Sequence, residues 1–586
     1  MSNLYFGFDL STQQLKLLVT REDLSLHSTY KIEFDKDLPH YKTNKGVYSN
    51  ESTGEIYAPV KMWIEALDVI LANMAQDQFP FDKVAGISGS GQQHGSVYWS
   101  GDADVILESL NPQEKLVDQI SPKAFTLETS PNWQDHSTGE EISKFESFIG
   151  GAENLAKITG SRAHYRFTGP QIRKIVKEHD DIYHNTKRIT LVSSFLASLL
   201  IGKVSNTEEA EACGMNLYDI EKKQWNDELL SICTITHEKD GIKDESIRSK
   251  AINELKSKIG DVVKIGYNSL GSISPYYIKK YGFNPNCQIF PFTGDNLATI
   301  LALPLNQDEF LVSLGTSTTV LLVTKSYIPS SNYHLFIHPT IPDAYMGMIC
   351  YCNGALAREK VRDELNKKHG KESGDWSLFN ELLDKSQNFN GDLGCYFPLG
   401  EIVPNAKAQT IRAKYDFKTG NIEIVDKPWD VELDVPSIVE SQALSCRARA
   451  SPMLSVKDDE LKPGLHDLEL DEKIIKAESL NQRPTKVFYV GGASANKSIV
   501  NKISEVLGPI EGNYRSDNAN SCAVGGAYKA HWSNECLKQD KFINFHEFLT
   551  EKFNWNDVEK IDAKNKWEEY LPGLSVLNKL EQDLVK

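Results

Sequence analysis

Long apolar segments are missing from this chain: the longest run, Phe195 to Ile201, falls far below the ~20 residues of a membrane-spanning helix. Positive charge is short as well. With 81 acidic against 64 basic residues the net charge is −17, and no contiguous basic stripe occurs, which argues against a nucleic-acid or anionic-membrane surface. There is no CxxC pair among the nine cysteines, whose odd number and scatter point to reduced thiols in the cytosol rather than to a disulfide framework or zinc site. Cys350 and Cys352, the nearest pair, sit beside an apolar stretch from Met346 to Tyr351 that reads as core packing. A first strand beginning near residue 4 leaves no room for a leader, so a soluble intracellular protein is expected. No Walker loop is found either, since the Gly-Lys pairs at 202–203 and 370–371 are followed by Val204 and Glu372 rather than by Ser or Thr.

What the chain has instead is one device used twice. Tyr5 to Thr12 and Leu311 to Thr319 each bring β-formers into a tight turn of small, hydroxyl and, in the first case, acidic residues. Each is followed by a further strand, Leu15 to Thr20 and Val320 to Thr324. Small residues let backbone N–H groups approach an anion, so two such hairpins, one per half, could grip a nucleotide triphosphate between them. Each hairpin alone is equally consistent with an ordinary turn; the recurrence in corresponding places carries the reading.

At 586 residues the chain exceeds what one core organises, and two large domains are expected. A third strand at His27 to Phe34 makes the opening an antiparallel meander. An amphipathic helix follows, with Val60, Trp63, Ile64, Leu67, Ile70 and Leu71 on one face, then a buried strand at Lys83 to Ser88. That order is the order of a ribonuclease H-like domain. After a helix at Leu297 to Leu303 a second meander opens at Phe310 and runs to Cys350, which places a boundary near 305. The expected domains are therefore 1–305, 306–535 and a helical tail at 536–586. Within the second, 405–483 reads as an insertion or loosely ordered surface segment, with a strand pair at Gln409 to Val425 and an acidic, Lys-rich stretch from Val456 to Ala477.

Chemistry gathers at a few motifs. Gly89-Ser90-Gly91-Gln92-Gln93-His94-Gly95 has His94 where a dinucleotide fingerprint needs its third glycine, and the YxxxK spacing of Tyr276 and Lys280 is read as chance. Gln92, Gln93 and His94 form instead a cluster of uncharged donors and acceptors suited to several hydroxyls, as in a sugar or polyol. Asn132-Trp133-Gln134-Asp135, and Arg162 and Arg166 in the segment Ser161 to Gly169, add aromatic, amide and cationic groups. Asp295, in Thr293-Gly294-Asp295-Asn296, stands at a helix start as an N-cap, as a base for a hydroxyl proton, or as both. Gly491-Gly492-Ala493-Ser494, between a strand at Thr485 to Val490 and a helix at Asn496 to Leu507, lets backbone press close to a flat or anionic ligand, or merely lets helix and strand meet.

Seven segments, Gly7 to Gln14, Ser88 to Trp99, Asn132 to Thr138, Gly160 to Gln171, Thr293 to Thr299, Ser313 to Thr319 and Gly491 to Asn496, together resemble in order the FGGY carbohydrate kinases, in particular the fungal D-xylulose kinase branch. The resemblance implies an α/β fold of two ribonuclease H-like, actin/hexokinase-type lobes with a cleft between them, the sugar bound mainly by the first and MgATP by the second. It implies transfer of the γ-phosphoryl group to D-xylulose, giving xylulose 5-phosphate for the pentose phosphate route. By motif, Asp295 is the base, and Gln93, His94, Arg166 and Asn296 hold the sugar. Asp9 faces Mg²⁺, Asp9, Thr12 and Thr316 face phosphate, and Gly492, Ala493, Asn496 and Trp376 face the nucleoside. ATP and Mg²⁺ are the implied cofactors, in a cytoplasmic monomer or homodimer. Many bacterial relatives have Gly at the place of Ser11 and Met at that of Gln93, so their sugar preference does not transfer. The other readings are a non-catalytic sugar sensor of the same fold and a kinase for another ketose or polyol.

Overall fold

The computed structural model describes residues 3–264, 267–386, 388–426, 429–455, 481–517 and 520–584. The first half is built on a sheet that opens as an antiparallel meander of β1 (Leu4–Leu10), β2 (Gln14–Arg21) and β3 (Leu26–Glu33). Helix α1 (Val60–Gln76) buries the six apolar residues whose spacing announced it. It leads into β4 (Val84–Gly91), which returns parallel to β1 with Phe8 opposite Gly89 and Asp9 opposite Ser90. The strand therefore runs three residues past the expected Ser88. Glycine permits this, because a Cβ at Gly89 would lie 2.6 Å from the Phe8 carbonyl oxygen. Two-residue strands β5 (Gly271–Ser272), β6 (Gln288–Ile289) and β7 (Thr293–Gly294) complete the sheet, with β7 extending the far end of β4. Helix α2 (Asp295–Thr299) starts directly from β7.

The second half repeats the plan. Strands β8 (Phe310–Leu314), β9 (Thr318–Thr324), β10 (His334–Ile337) and β11 (Tyr345–Tyr351) precede helices α3 (Ala355–Lys368), α4 (Ser377–Lys385) and α5 (Val431–Ala450). Strand β12 (Lys486–Val490) lies parallel to β8, helix α6 (Lys497–Leu507) follows, and β13 (Gly512–Ser516) lies parallel to β12. The order β9-β8-β12-β13 matches β2-β1-β4-β6 in the first sheet, so the expected two-lobed α/β architecture is present.

Packing adds to two sequence expectations. The segment 405–483 is not loosely ordered where it is described: Gln409–Tyr415 and Ile422–Ile424 join Asp392–Phe397 in a three-stranded sheet, and α5 is a buried helix of 20 residues. Its periodicity was hidden because polar residues are buried along it in pairs, Arg449 with Glu581 and Glu440 near Lys502. The stretch 456–480 lies outside the described residues. The boundary near 305 is also crossed by packing. Helix α7 (Ser521–Gln539), sequentially in the second half, lies on β1 and β4 of the first sheet. Gly7, Gly89 and Gly526 make this approach possible: a Cβ on Gly526 would stand 2.7 Å from the Gly89 Cα. His531 stacks on Tyr5 at 4.2 Å, and the buried Lys529 donates to the Pro291 carbonyl at 2.9 Å. After β14 (Val558–Ile561) at the sheet edge, α8 (Leu571–Leu584) packs on α5.

Candidate functional site

Register places the acids. Asp9, next to last in β1, lies opposite Ser90 of β4, and β4 in turn pairs Ser90 with Thr293 and Gly91 with Gly294, so Asp9 and Asp295 lie at the same end of one sheet. Asp9 is buried, faces Lys16 across the hairpin, and accepts from Ser90 Oγ at 3.3 Å; burial still raises its pKa to about 6. Asp295, at the start of α2, keeps part of its surface accessible. The surrounding protein, with the negative charge of Asp9 added, raises its pKa to about 7 against the opposing pull of its backbone hydrogen bonds and of Arg166. It also receives the backbone N–H of Asn296 at 2.8 Å.

Beside these acids lie the amides and the imidazole. Asn296 Nδ2 donates to Gln93 Oε1 at 3.0 Å, and Gln93 folds over Gly294, where no side chain would fit. The Nε2 atoms of Gln92 and Gln93 are buried with no hydrogen-bond partner among the described residues. His94 is held in a left-handed conformation (φ 73°) by a hydrogen bond between Nδ1 and the Gly214 carbonyl at 2.9 Å and by stacking on Phe167 at 4.4 Å. Donation from Nδ1 leaves Nε2 as an acceptor, and burial keeps the ring neutral.

The two arginines separate cleanly. Arg162 is bound to Glu146 at 3.1 Å. Arg166 makes no hydrogen bond or ion pair to any described residue, lies over the Phe167 ring at 5.7 Å, and has Asp295 and His94 within its electrostatic reach. The Thr12 hydroxyl accepts from Trp133 Nε1 at 2.8 Å and donates to Gln92 Oε1 at 3.4 Å. Asn132 also donates to Gln92 Oε1, so the first hairpin and the Asn132–Asp135 loop are tied together.

The remaining expected residues gather on the second lobe. Thr316 is exposed at the β8–β9 turn, where its carbonyl accepts from Gly354 N at 3.1 Å and from Leu356 N. Ser313 pairs with Val490, which sets the Gly491 turn beside that hairpin. Gly491 has φ 88° and its Cβ would meet the Leu314 carbonyl at 2.9 Å, whereas a Cβ on Gly492 would point into open space. Ala493 is half-buried, and Asn496 caps α6 through Ile499 N while donating from Nδ2 to Asn380 Oδ1 of α4 at 2.9 Å. Trp376, at the start of α4, is half-buried with Arg362 over its ring at 4.5 Å. Cys350 of β11, within electrostatic reach of both Arg166 and Asp295, marks where this lobe overlooks the acids.

Ser90, Lys16 and Phe167 had no signal in the sequence as site residues; only strand register and ring packing place them. Tyr276 and Lys280, by contrast, both donate to the Glu114 carbonyl and serve structure. Among the described residues no group of three or more His, Cys, Asp or Glu side chains is disposed to hold a metal. No described helix is long and apolar enough to cross a membrane.

Family models for the carbohydrate kinases match on both sides of the boundary, the N-terminal FGGY domain over residues 126–302 and the C-terminal FGGY domain over 310–533. The chain is 49% identical to the xylulose kinase of Saccharomyces cerevisiae, over 100% of this chain and 97% of that one. It is 41% identical to a protein named probable D-xylulose kinase A from Neosartorya fischeri, over 100% and 98%. Among solved structures, xylulose kinase from Rhodospirillum rubrum superposes with a TM-score of 0.70 at 14% identity, covering 100% and 98%. Glycerol kinase from Plasmodium falciparum with ADP gives 0.68 at 14% identity, covering 100% and 99%. The chain belongs to the FGGY family of carbohydrate kinases.

Proposed function

We propose that this chain transfers the γ-phosphoryl group of ATP to the terminal hydroxyl of D-xylulose, releasing D-xylulose 5-phosphate and ADP. The observation that carries the reading is Asp295, a partly accessible carboxylate with its pKa raised to about 7, flanked by amides and by an arginine that pairs with no described residue. The name of the 49%-identical yeast relative supports the choice of sugar.

Asp295 takes the hydroxyl proton as that oxygen bonds to the γ-phosphorus and the bond to the bridging β-γ oxygen breaks, leaving ADP; the proton then returns to solvent. Neutral His94, the Gln93 and Asn296 amides and Arg166 hold and orient the sugar hydroxyls. The second hairpin at Thr316 offers backbone to phosphate, and Gly492 leaves room for the nucleoside against Ala493, Asn496 and Trp376. A magnesium ion fits the one buried carboxylate at the hairpin, since Mg²⁺ is commonly held by one or two carboxylates plus phosphate oxygens. Asp9 would hold it, and the ion would neutralise phosphate charge. We place the protein in the cytoplasm as a monomer or homodimer.

The test is ADP release with MgATP across pentuloses, hexuloses, polyols and glycerol. Activity confined to D-xylulose, and lost in Asp295→Ala, is the expected result. Activity with another ketose or polyol alone would move the substrate, and silence with ATP still bound would favour a sugar sensor.

A further inference from the structure

Beneath the second hairpin is a small cavity of about 30 Å³ whose walls carry a buried cation that forms no ion pair with any described residue. Arg358 of α3 is 1% exposed. Its Nη1 donates to Gln442 Oε1, while Nε and Nη2 have no partner, and among the described residues no carboxylate stands within ion-pair distance. The orientation of the Gln442 amide is settled by its other end, which donates to the Asn353 carbonyl at 2.7 Å and the Gly354 carbonyl at 3.3 Å. Thr318 Oγ1, on the same wall, also lacks a partner. Much of the rest of the lining is aliphatic, with Val312, Leu314, Val320 and Ile503.

A buried guanidinium with two open donor positions calls for either water or an anion. Water would accept from Arg358 and could place one proton on Thr318 Oγ1, but it would leave the buried guanidinium charge uncompensated, which an anion would neutralise. Glu401 and Glu581, in the neighbouring cavity beyond Tyr351, are already committed, the first to the backbone N–H groups of Cys352 and Ile402 and the second to Arg449. Burial lowers the Arg358 pKa only to about 10, so the charge persists at neutral pH.

We propose that this cavity is a binding site for a monovalent anion of halide size, held by Arg358 Nε and Nη2 and by the Thr318 hydroxyl. Leu314 and Thr318 pair with each other at the base of the 315–317 turn, so the anion would brace that turn from below.

The direct test is anomalous diffraction from crystals of the full chain in sodium bromide. A bromide peak beside Arg358 is expected; its absence while surface sites show bromide would overturn the proposal. In solution, the melting temperature should rise saturably with chloride and bromide but not with gluconate, an anion too large for the cavity, at equal ionic strength. Arg358→Met and, should that variant not fold, Thr318→Val should weaken or abolish the difference. Equal melting of the wild type in chloride and gluconate would sink the idea. Neither measurement depends on the sugar that the enzyme uses.

Discussion

Asp295 sets two properties against each other. As a base it must be ionised, so kcat/KM should fall as pH drops below about 7, its raised pKa. That pKa lies above the ~3.9 of a free aspartate, so the folded chain binds a proton more tightly than the unfolded chain and the group's effect on stability worsens as pH rises from about 4 through 7. Asp295→Asn should therefore lose about 10²–10⁴-fold in kcat and yet melt higher than wild type at pH 8, with the gap closing near pH 4; enzyme assay and calorimetry on one preparation would show both. The arginines give a second contrast. Arg166→Ala should raise the sugar KM strongly. Arg162→Ala should leave it unchanged and cost at most about 1 kcal/mol, as expected for its partly exposed pair with Glu146, measured by urea unfolding. Motif order in the sequence already favoured Arg166, but the physical ground is tertiary, because only packing shows which guanidinium has its charge already paired.

Among the elements, α7 explains why small residues recur in three separate segments. Gly525 meets the Ala298 carbonyl of α2, and a Cβ there would drive into it. Gly525→Ala should cost about 1–3 kcal/mol and also lower kcat, since α2 carries Asp295. Gly492→Ala, with open space around it, should leave stability unchanged and raise the KM for ATP. Thermal melts paired with kinetics would separate the two glycines. Helix α1 was legible because one apolar face packs inward while the other meets solvent, giving period 3.6. Helix α5 was not, because it is buried on most sides and its charges find partners far along the chain, Arg449 reaching Glu581 of α8. Glu581→Gln should therefore be strongly destabilising, leaving Arg449 buried without its counter-charge, by about 3–5 kcal/mol in urea titration.

Across the whole molecule, the halves are duplicated in plan but not independent. The face of the first sheet at Tyr5, Gly7 and Gly89 is covered by α7, some 500 residues later in the chain. A fragment ending at residue 305 should consequently show no cooperative melt by near-ultraviolet circular dichroism, and a sharp transition would refute this account of α7. Local pattern alone determined the two meanders, the hairpin device in each, the amphipathic first helix and the family, since period, turn chemistry and motif order are properties of neighbours in sequence. Tertiary structure alone decided that Asp9 and Asp295 leave one sheet end, that Arg166 pairs with no described residue, that Thr12 answers to Trp133, and that α7 packs on the first sheet. Those are matters of register and burial between residues tens to hundreds of positions apart, and a pattern that repeats every two or 3.6 residues carries no information about them.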